Sequence, residues 1–83
     1  MSVVYKYPIE LGDTLTVRDG YFSHFGTDPN GDRCVWLQHS DTNHGTMRLY
    51  IVGTGMAFPD DDIVLGSLVE GNFVWHLVMA VVL

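Results

Sequence analysis

Residues 21–39 read Tyr-Phe-Ser-His-Phe-Gly-Thr-Asp-Pro-Asn-Gly-Asp-Arg-Cys-Val-Trp-Leu-Gln-His, two runs of strand-forming residues around the polar segment Thr27–Asp32. Pro29 presets one turn dihedral, and Asn30-Gly31 favours a type I′ or related turn. The segment is the clearest hairpin in the chain and points to antiparallel β structure. Towards the N-terminus, Thr14–Arg18 alternates, with Leu15 and Val17 on one face and Thr and Arg on the other. Asp19-Gly20 between these runs is a further hairpin signal, since glycine takes the positive φ that tight turns need. Val3–Ile9 opens the chain as a strand with Val3, Tyr5 and Tyr7 in phase. Pro8 near its end marks an edge strand, because proline cannot donate to a ladder. Glu10–Asp13 then turns.

Towards the C-terminus, the polar loop Ser40–Gly45 leads to Thr46–Val52, where Met47, Leu49 and Ile51 share a face. Pro59 and the acidic run Asp60-Asp61-Asp62 make another loop. Ile63–Val69, the turn Glu70-Gly71-Asn72 and Phe73 to about Met79 form a last hairpin. No segment has helical periodicity. The expectation is an all-β fold, a small antiparallel sandwich or barrel of about six to seven short strands, in a single domain over residues 1–83.

Composition supports a globular chain. Of 83 residues, 47% are hydrophobic and 17% charged. A chain of this length buries only roughly two-thirds of its unfolded surface, so its stability margin is narrow. Four basic against ten acidic residues give a net charge of −6, which repels phosphate backbones and argues against a nucleic-acid partner. A basic protein face suits it better. The single Cys34 excludes an internal disulfide. The opening residues lack the basic and apolar regions of a signal peptide, and the apolar run Phe73–Leu83 is about half the length of a membrane span. The expectations are a cytoplasmic protein and no membrane partner.

The final strand carries apolar residues on both faces: Phe73, Trp75, Leu77 and Met79 on one, Val74, His76, Val78 and Ala80 on the other. A strand apolar on both sides is covered on both sides. Two covers are open: another copy of the chain or a partner protein on the second face, or a loop of the same chain. Val74, His76 and Val78 are therefore candidate contact residues for a homo-oligomer. Asp60, Asp61 and Asp62 are candidate contacts for a basic protein.

Other candidate sites fail on context. Gly53-Thr54-Gly55 follows a strand, but the proline-broken Met56–Asp60 cannot start the helix that a phosphate cradle needs; it reads as a bend or bulge. Asp28, Asn30 and Asp32 have part of a calcium-loop spacing, yet the glycine is misplaced and His39 stands where a bidentate glutamate belongs. His24, His39, His44 and His76 show no zinc spacing, and surface imidazoles are the expectation for all but His76. His76, among valines, reads as a buried histidine bonded to a backbone carbonyl or as a pH-sensitive contact. Trp36 and Trp75 read as core aromatics, and Cys34 as a small core hydrophobe. Ser23, Ser40 and Ser67 lack a nucleophile elbow. No cofactor, no metal and no enzymatic activity are expected.

Three segments together, YKYPIELGDTLTV (5–17), RLYIVGTG (48–55) and VLGSLVEGNFVWHL (64–77), with Cys34-Val35-Trp36 between them, resemble an uncharacterised family of short proteins found mainly in bacteriophages and bacterial genomes. The likeness covers nearly the whole chain. It departs at Met56, where that family has histidine after Gly-Thr-Gly, and in the apolar tail Val78–Leu83. The resemblance implies a phage or prophage origin, no assigned activity and no functional residues. The leading expectation is a small non-enzymatic binding protein working by protein contact, against a host or defence factor. Alternatives are an oligomer that sequesters a small ligand, with Gly53-Thr54-Gly55 lining a pocket between subunits, and a minor virion component.

Overall fold

A computed structural model describes residues 1–81; the last two residues of the expected apolar tail, 82 and 83, lie outside the described residues. Seven strands follow in order: β1 (Ser2–Pro8), β2 (Leu15–Arg18), β3 (Tyr21–Thr27), β4 (Arg33–Ser40), β5 (Thr46–Gly53), β6 (Ile63–Glu70) and β7 (Phe73–Ala80). They form two antiparallel sheets, one ordered β1-β4-β3 and the other β2-β5-β7-β6. The fold is all-β and sandwich-like, as the alternation and turn residues predict. No helix among the described residues is long and apolar enough to cross a membrane.

Two hairpins stand where the sequence puts them. In the β3–β4 loop, Gly31 N–H bonds to the Asp28 carbonyl at 2.9 Å. Gly31 has φ +86° while Asn30 stays out of the left-handed region. The turn is therefore a type I turn with Pro29 at its second position, followed by a left-handed glycine, and not type I′. Asp28 is buried; its carboxylate accepts from the Asn30 and Asp32 amides at 2.9 and 3.0 Å and from Lys6 Nζ at 2.8 Å. The group that suggested a calcium ligand is thus the loop's own anchor. The β6–β7 hairpin turns through Gly71-Asn72 and places Ser67 opposite His76 and Val69 opposite Val74.

The third expected hairpin is not one. β2 and β3 belong to different sheets, and Asp19-Gly20 carries the chain from one layer to the other. Gly20 does not have a positive φ; it is required for space. An added Cβ would lie 2.7 Å from the Gln38 carbonyl oxygen and 2.7 Å from His39 Nδ1.

His39 is the second correction. It is buried rather than surface-exposed. Its Nδ1 lies 2.9 Å from the Asp19 carbonyl, which can only accept, so Nδ1 carries the proton; Nε2 meets the Tyr7 hydroxyl at 2.8 Å. A buried histidine bonded to a backbone carbonyl, expected at position 76, is found at 39.

The core lies between the sheets. Phe25, Val35 and Leu37 from the first meet Met47, Leu49, Ile51 and Leu77 from the second, with Ile9 at the rim and Trp75 packed against the cluster. Each such side chain contributes about 1.5–3 kcal/mol on burial. Phe22 of β3 sits over Gly66 of β6, so these two edges adjoin. One end of the core is closed by Arg33. Its Nε and Nη2 donate to the Glu70 carboxylate at 2.8 and 3.2 Å, its Nη1 to Glu10 at 3.0 Å, and its guanidinium lies 5.3 Å from the Trp75 ring centre. Trp36, by contrast, is on the outer face of β4 against His24, at 5.3 Å between ring centres, and is no core residue. Cys34 shares that outer face, buried and free, and burial raises its thiol pKa.

Candidate functional site on the outer face of the larger sheet

In the larger sheet the odd-numbered residues of β5 and β7 face the core, so Tyr50, Val52, Val74, His76 and Val78 face outward. β5 and β6 are both antiparallel to β7 and hence parallel to each other. Their connection, residues 54–62, must cross β7. It begins with a turn in which Met56 N–H bonds to the Gly53 carbonyl at 3.1 Å and Gly55 takes φ +90°. Gly53-Thr54-Gly55 is therefore a chain reversal at a strand end, the bend expected of it, and leads to no phosphate-binding helix.

Both ends of the crossover are tied to outward-facing side chains. At its start Thr54 Oγ1 meets His76 Nε2 at 2.9 Å, and the Thr54 amide bonds to the Val74 carbonyl at 3.3 Å. At its end Asp62 accepts from the Tyr50 hydroxyl and from the Val81 amide, the latter at 3.0 Å. Burial, reinforced by the Asp62 carboxylate, pushes the Tyr50 phenol up to about 12. Beneath this strap Val78 is 0% exposed and Val52 is also buried. A loop of the same chain thus covers part of the second face of β7.

That cover changes the set of candidate contacts. Val78 is enclosed within its own chain and is not available for docking, and Asp62 is committed to Tyr50 and Val81. Asp60 and Asp61 are exposed, while Val74 and His76 are half-buried. The uncovered part of the face includes Val64 and Val69, 45% and 70% exposed. These two valines are not singled out in the sequence, where Ser67 is weighed only as a nucleophile and Thr54 only within the Gly53-Thr54-Gly55 bend. The two-residue turn fixes Ser67 and Val69 in phase with His76 and Val74, so their placement was implicit in the last hairpin.

At the centre, Ser67 Oγ lies 2.7 Å from His76 Nδ1 on the side opposite Thr54. The imidazole is pinned between two hydroxyls. One proton arrangement runs through all of them: Ser67 O–H to Nδ1, Nε2–H to Thr54 Oγ1, and Thr54 O–H towards the Val74 carbonyl at 3.4 Å. A serine against an imidazole is a nucleophile–base contact. Acyl transfer also needs oxyanion donors and a cleft, whereas these groups lie on an open sheet face and the described residues enclose no pocket. Nor are three His, Cys, Asp or Glu side chains placed to hold a metal ion among the described residues. What the arrangement provides is a rigid polar centre flanked by exposed valines, with two free carboxylates in the adjoining crossover.

Comparison with curated proteins and with solved structures finds no match. Residues 1–81 do match the family model described as a domain of unknown function, DUF7352, and the chain belongs to that family.

Proposed function

We propose that this chain is a small non-enzymatic binding protein of bacteriophage type, acting by protein contact in the cytoplasm of a bacterial host, with a host or defence factor that presents a basic face as its target. The observation that carries this reading is the uncovered part of the outer face. Val64 and Val69 stand exposed beside a histidine whose two ring nitrogens are already held by Thr54 and Ser67. Exposed valines around a satisfied polar centre suit a dry contact with a polar anchor. The net charge of −6, with Asp60 and Asp61 free in solvent, favours a basic partner and speeds its encounter. The phage assignment rests on the likeness of the Tyr-Lys-Tyr-Pro, Arg-x-Tyr-x-Val-Gly-Thr-Gly and Trp-His segments to phage proteins.

The test is quantitative affinity capture from a bacterial lysate with three baits: the natural chain, Val64→Asp/Val69→Asp, and Tyr21→Asp as a control on the other sheet. A partner held by the natural chain and the control, lost from the double variant, and weakened by salt or by Asp60→Asn/Asp61→Asn supports the reading. Equal capture by all three baits removes this face as the site. Covalent labelling of Ser67 by a fluorophosphonate would instead show an activated nucleophile and overturn the non-enzymatic reading.

A further inference from the structure

Among the described residues β1 is a free edge of the three-stranded sheet, paired on one side only, with β4. Which of its backbone groups are unused follows from the ladder. Ile9 N–H bonds to the Arg33 carbonyl at 3.0 Å, in register with the pairs Tyr7 with Val35 and Tyr5 with Leu37. Hydrogen-bonded pairs alternate along an antiparallel ladder, so the odd residues of β1 bond to β4 and the even ones, Ser2, Val4, Lys6 and Pro8, point their amides and carbonyls away from the sheet. Pro8 occupies one of these outward positions. Its missing donor costs the ladder nothing and blocks that end of the edge against a further strand.

The other half of the edge has no proline, and its one charged residue, Lys6, is engaged by Asp28 at 2.8 Å. Val4 is 53% exposed on the outer face; Val3 and Tyr5, 51% and 52% exposed, lie on the core-side face where the second sheet does not reach them. β2, the corresponding free edge of the larger sheet, is only four residues long and ends in Arg18. Of the two, β1 is the edge built to accept a strand.

We propose that the occupant is β1 of a second copy, paired antiparallel about a twofold axis at Val4. Three features select this register. It pairs Val4 with Val4 and Ser2 with Lys6 of the other copy, so every outward amide and carbonyl from Ser2 to Lys6 finds a partner and Pro8 stays outside the ladder. It sets Val3 against Tyr5 of the other copy twice on the core-side face, joining the exposed apolar residues. It also places the one charged residue of the edge, Lys6, opposite a serine, so no like charges meet. Moving the axis to Tyr5 would bring Ser2 against Pro8, and the Ser2 carbonyl at each end would find no donor, because proline has no N–H. The result is a continuous six-stranded sheet with a self-complementary seam. This surface is separate from the outer face of the larger sheet and leaves that face free.

The test is the solution mass of the full chain by sedimentation or light scattering over a concentration series, for the natural chain, Val4→Pro, Val4→Lys and Val69→Asp. Val4→Pro removes only an outward amide, so the β1–β4 ladder is kept; far-UV circular dichroism checks this, and Val4→Lys, which sets like charges across the axis, serves if the proline variant does not fold. The expected result is a twofold mass for the natural chain and Val69→Asp, and a single-chain mass for both Val4 variants. V4C should couple to itself on oxidation, since the hydrogen-bonded Val4 pair would hold its Cα atoms about 5.5 Å apart, within disulfide reach, and Cys34 is buried. A natural chain that is a monomer at every concentration overturns the proposal. So does an oligomer that survives the Val4 changes or is dissociated by Val69→Asp.

Discussion

Replacing Gly20 by alanine tests where the chain changes sheets. In the structure the new methyl would stand 2.7 Å from the Gln38 carbonyl oxygen and 2.7 Å from His39 Nδ1, against ordinary contact beyond 3.4 Å. The carbonyl belongs to a paired strand and the imidazole is buried, so neither can yield freely. Overpacking of this kind costs about 1–3 kcal/mol. The same methyl displaces His39 from the Asp19 carbonyl, and leaving a buried donor without an acceptor costs a further 1–3 kcal/mol or about that. A domain of this size has a total stability of roughly 4–12 kcal/mol, so the combined loss of about 2–6 kcal/mol is a large share. At about 4–8 °C per kcal/mol, thermal unfolding followed by circular dichroism should show a midpoint lowered by at least roughly 8 °C. Gly20→Asn separates this reasoning from a hairpin turn. Asparagine tolerates the left-handed conformation of a tight turn and would be accepted there, whereas a position short of space rejects it as strongly as alanine. Melting of either variant within a couple of degrees of the natural chain would refute the packing of Asp19-Gly20 over His39.

Arg33→Lys keeps the charge but loses the two-pronged contact with Glu70 and the stacking on Trp75, and should lower the urea midpoint by the equivalent of about 1–2 kcal/mol; an unchanged midpoint would mean that the guanidinium does not bridge the sheets. The Tyr50 phenol is raised from 10.0 to about 12 in the folded chain, so it contributes stability that is fully present below about pH 10 and lost as pH rises towards 12. Tyr50→Phe should remove that alkaline loss, and an identical alkaline profile for both chains would count against the buried contact with Asp62. The Asp28 carboxyl is held below its ordinary 3.8, first by the Lys6 ammonium and then by the Asp32 and Asn30 amides. Its contribution is present above that ordinary value and lost as pH falls through the lower folded one. Asp28→Asn should be less stable near neutrality and show a flatter acid limb in a circular-dichroism titration, and a limb as steep as the natural chain's would refute this.

Local signals determined much of this protein. Strand-forming runs between turn residues marked all seven strands, and period-two phase assigned the two faces of β1, β2, β5 and β7, since side chains on a strand alternate faces whatever its neighbours are. Pro29 and Gly31 fixed one hairpin and Gly71 the other, because a turn's dihedral needs act within four residues. Pro8 marked an edge, and the bend at Gly53-Thr54-Gly55 followed from the absence of a helix after it. The tertiary structure decided what local signals leave open. Asp19-Gly20 has the composition of a tight turn, and only the pairing of β2 with β5 and of β3 with β4 shows that it joins two layers. Alternation distinguishes two faces of a strand without saying which is inside. His39 is buried because Val35 and Leu37, in phase with it, face the other sheet, whereas His76 is on the outer face in reach of Ser67 and Thr54. Likewise the valines around His76 announced a covered face, but the cover over Val78 comes from a crossover required by the order of β5, β7 and β6. Strand order is set by which long-range pairings together fill one core, a property of the whole chain's packing that no single segment carries.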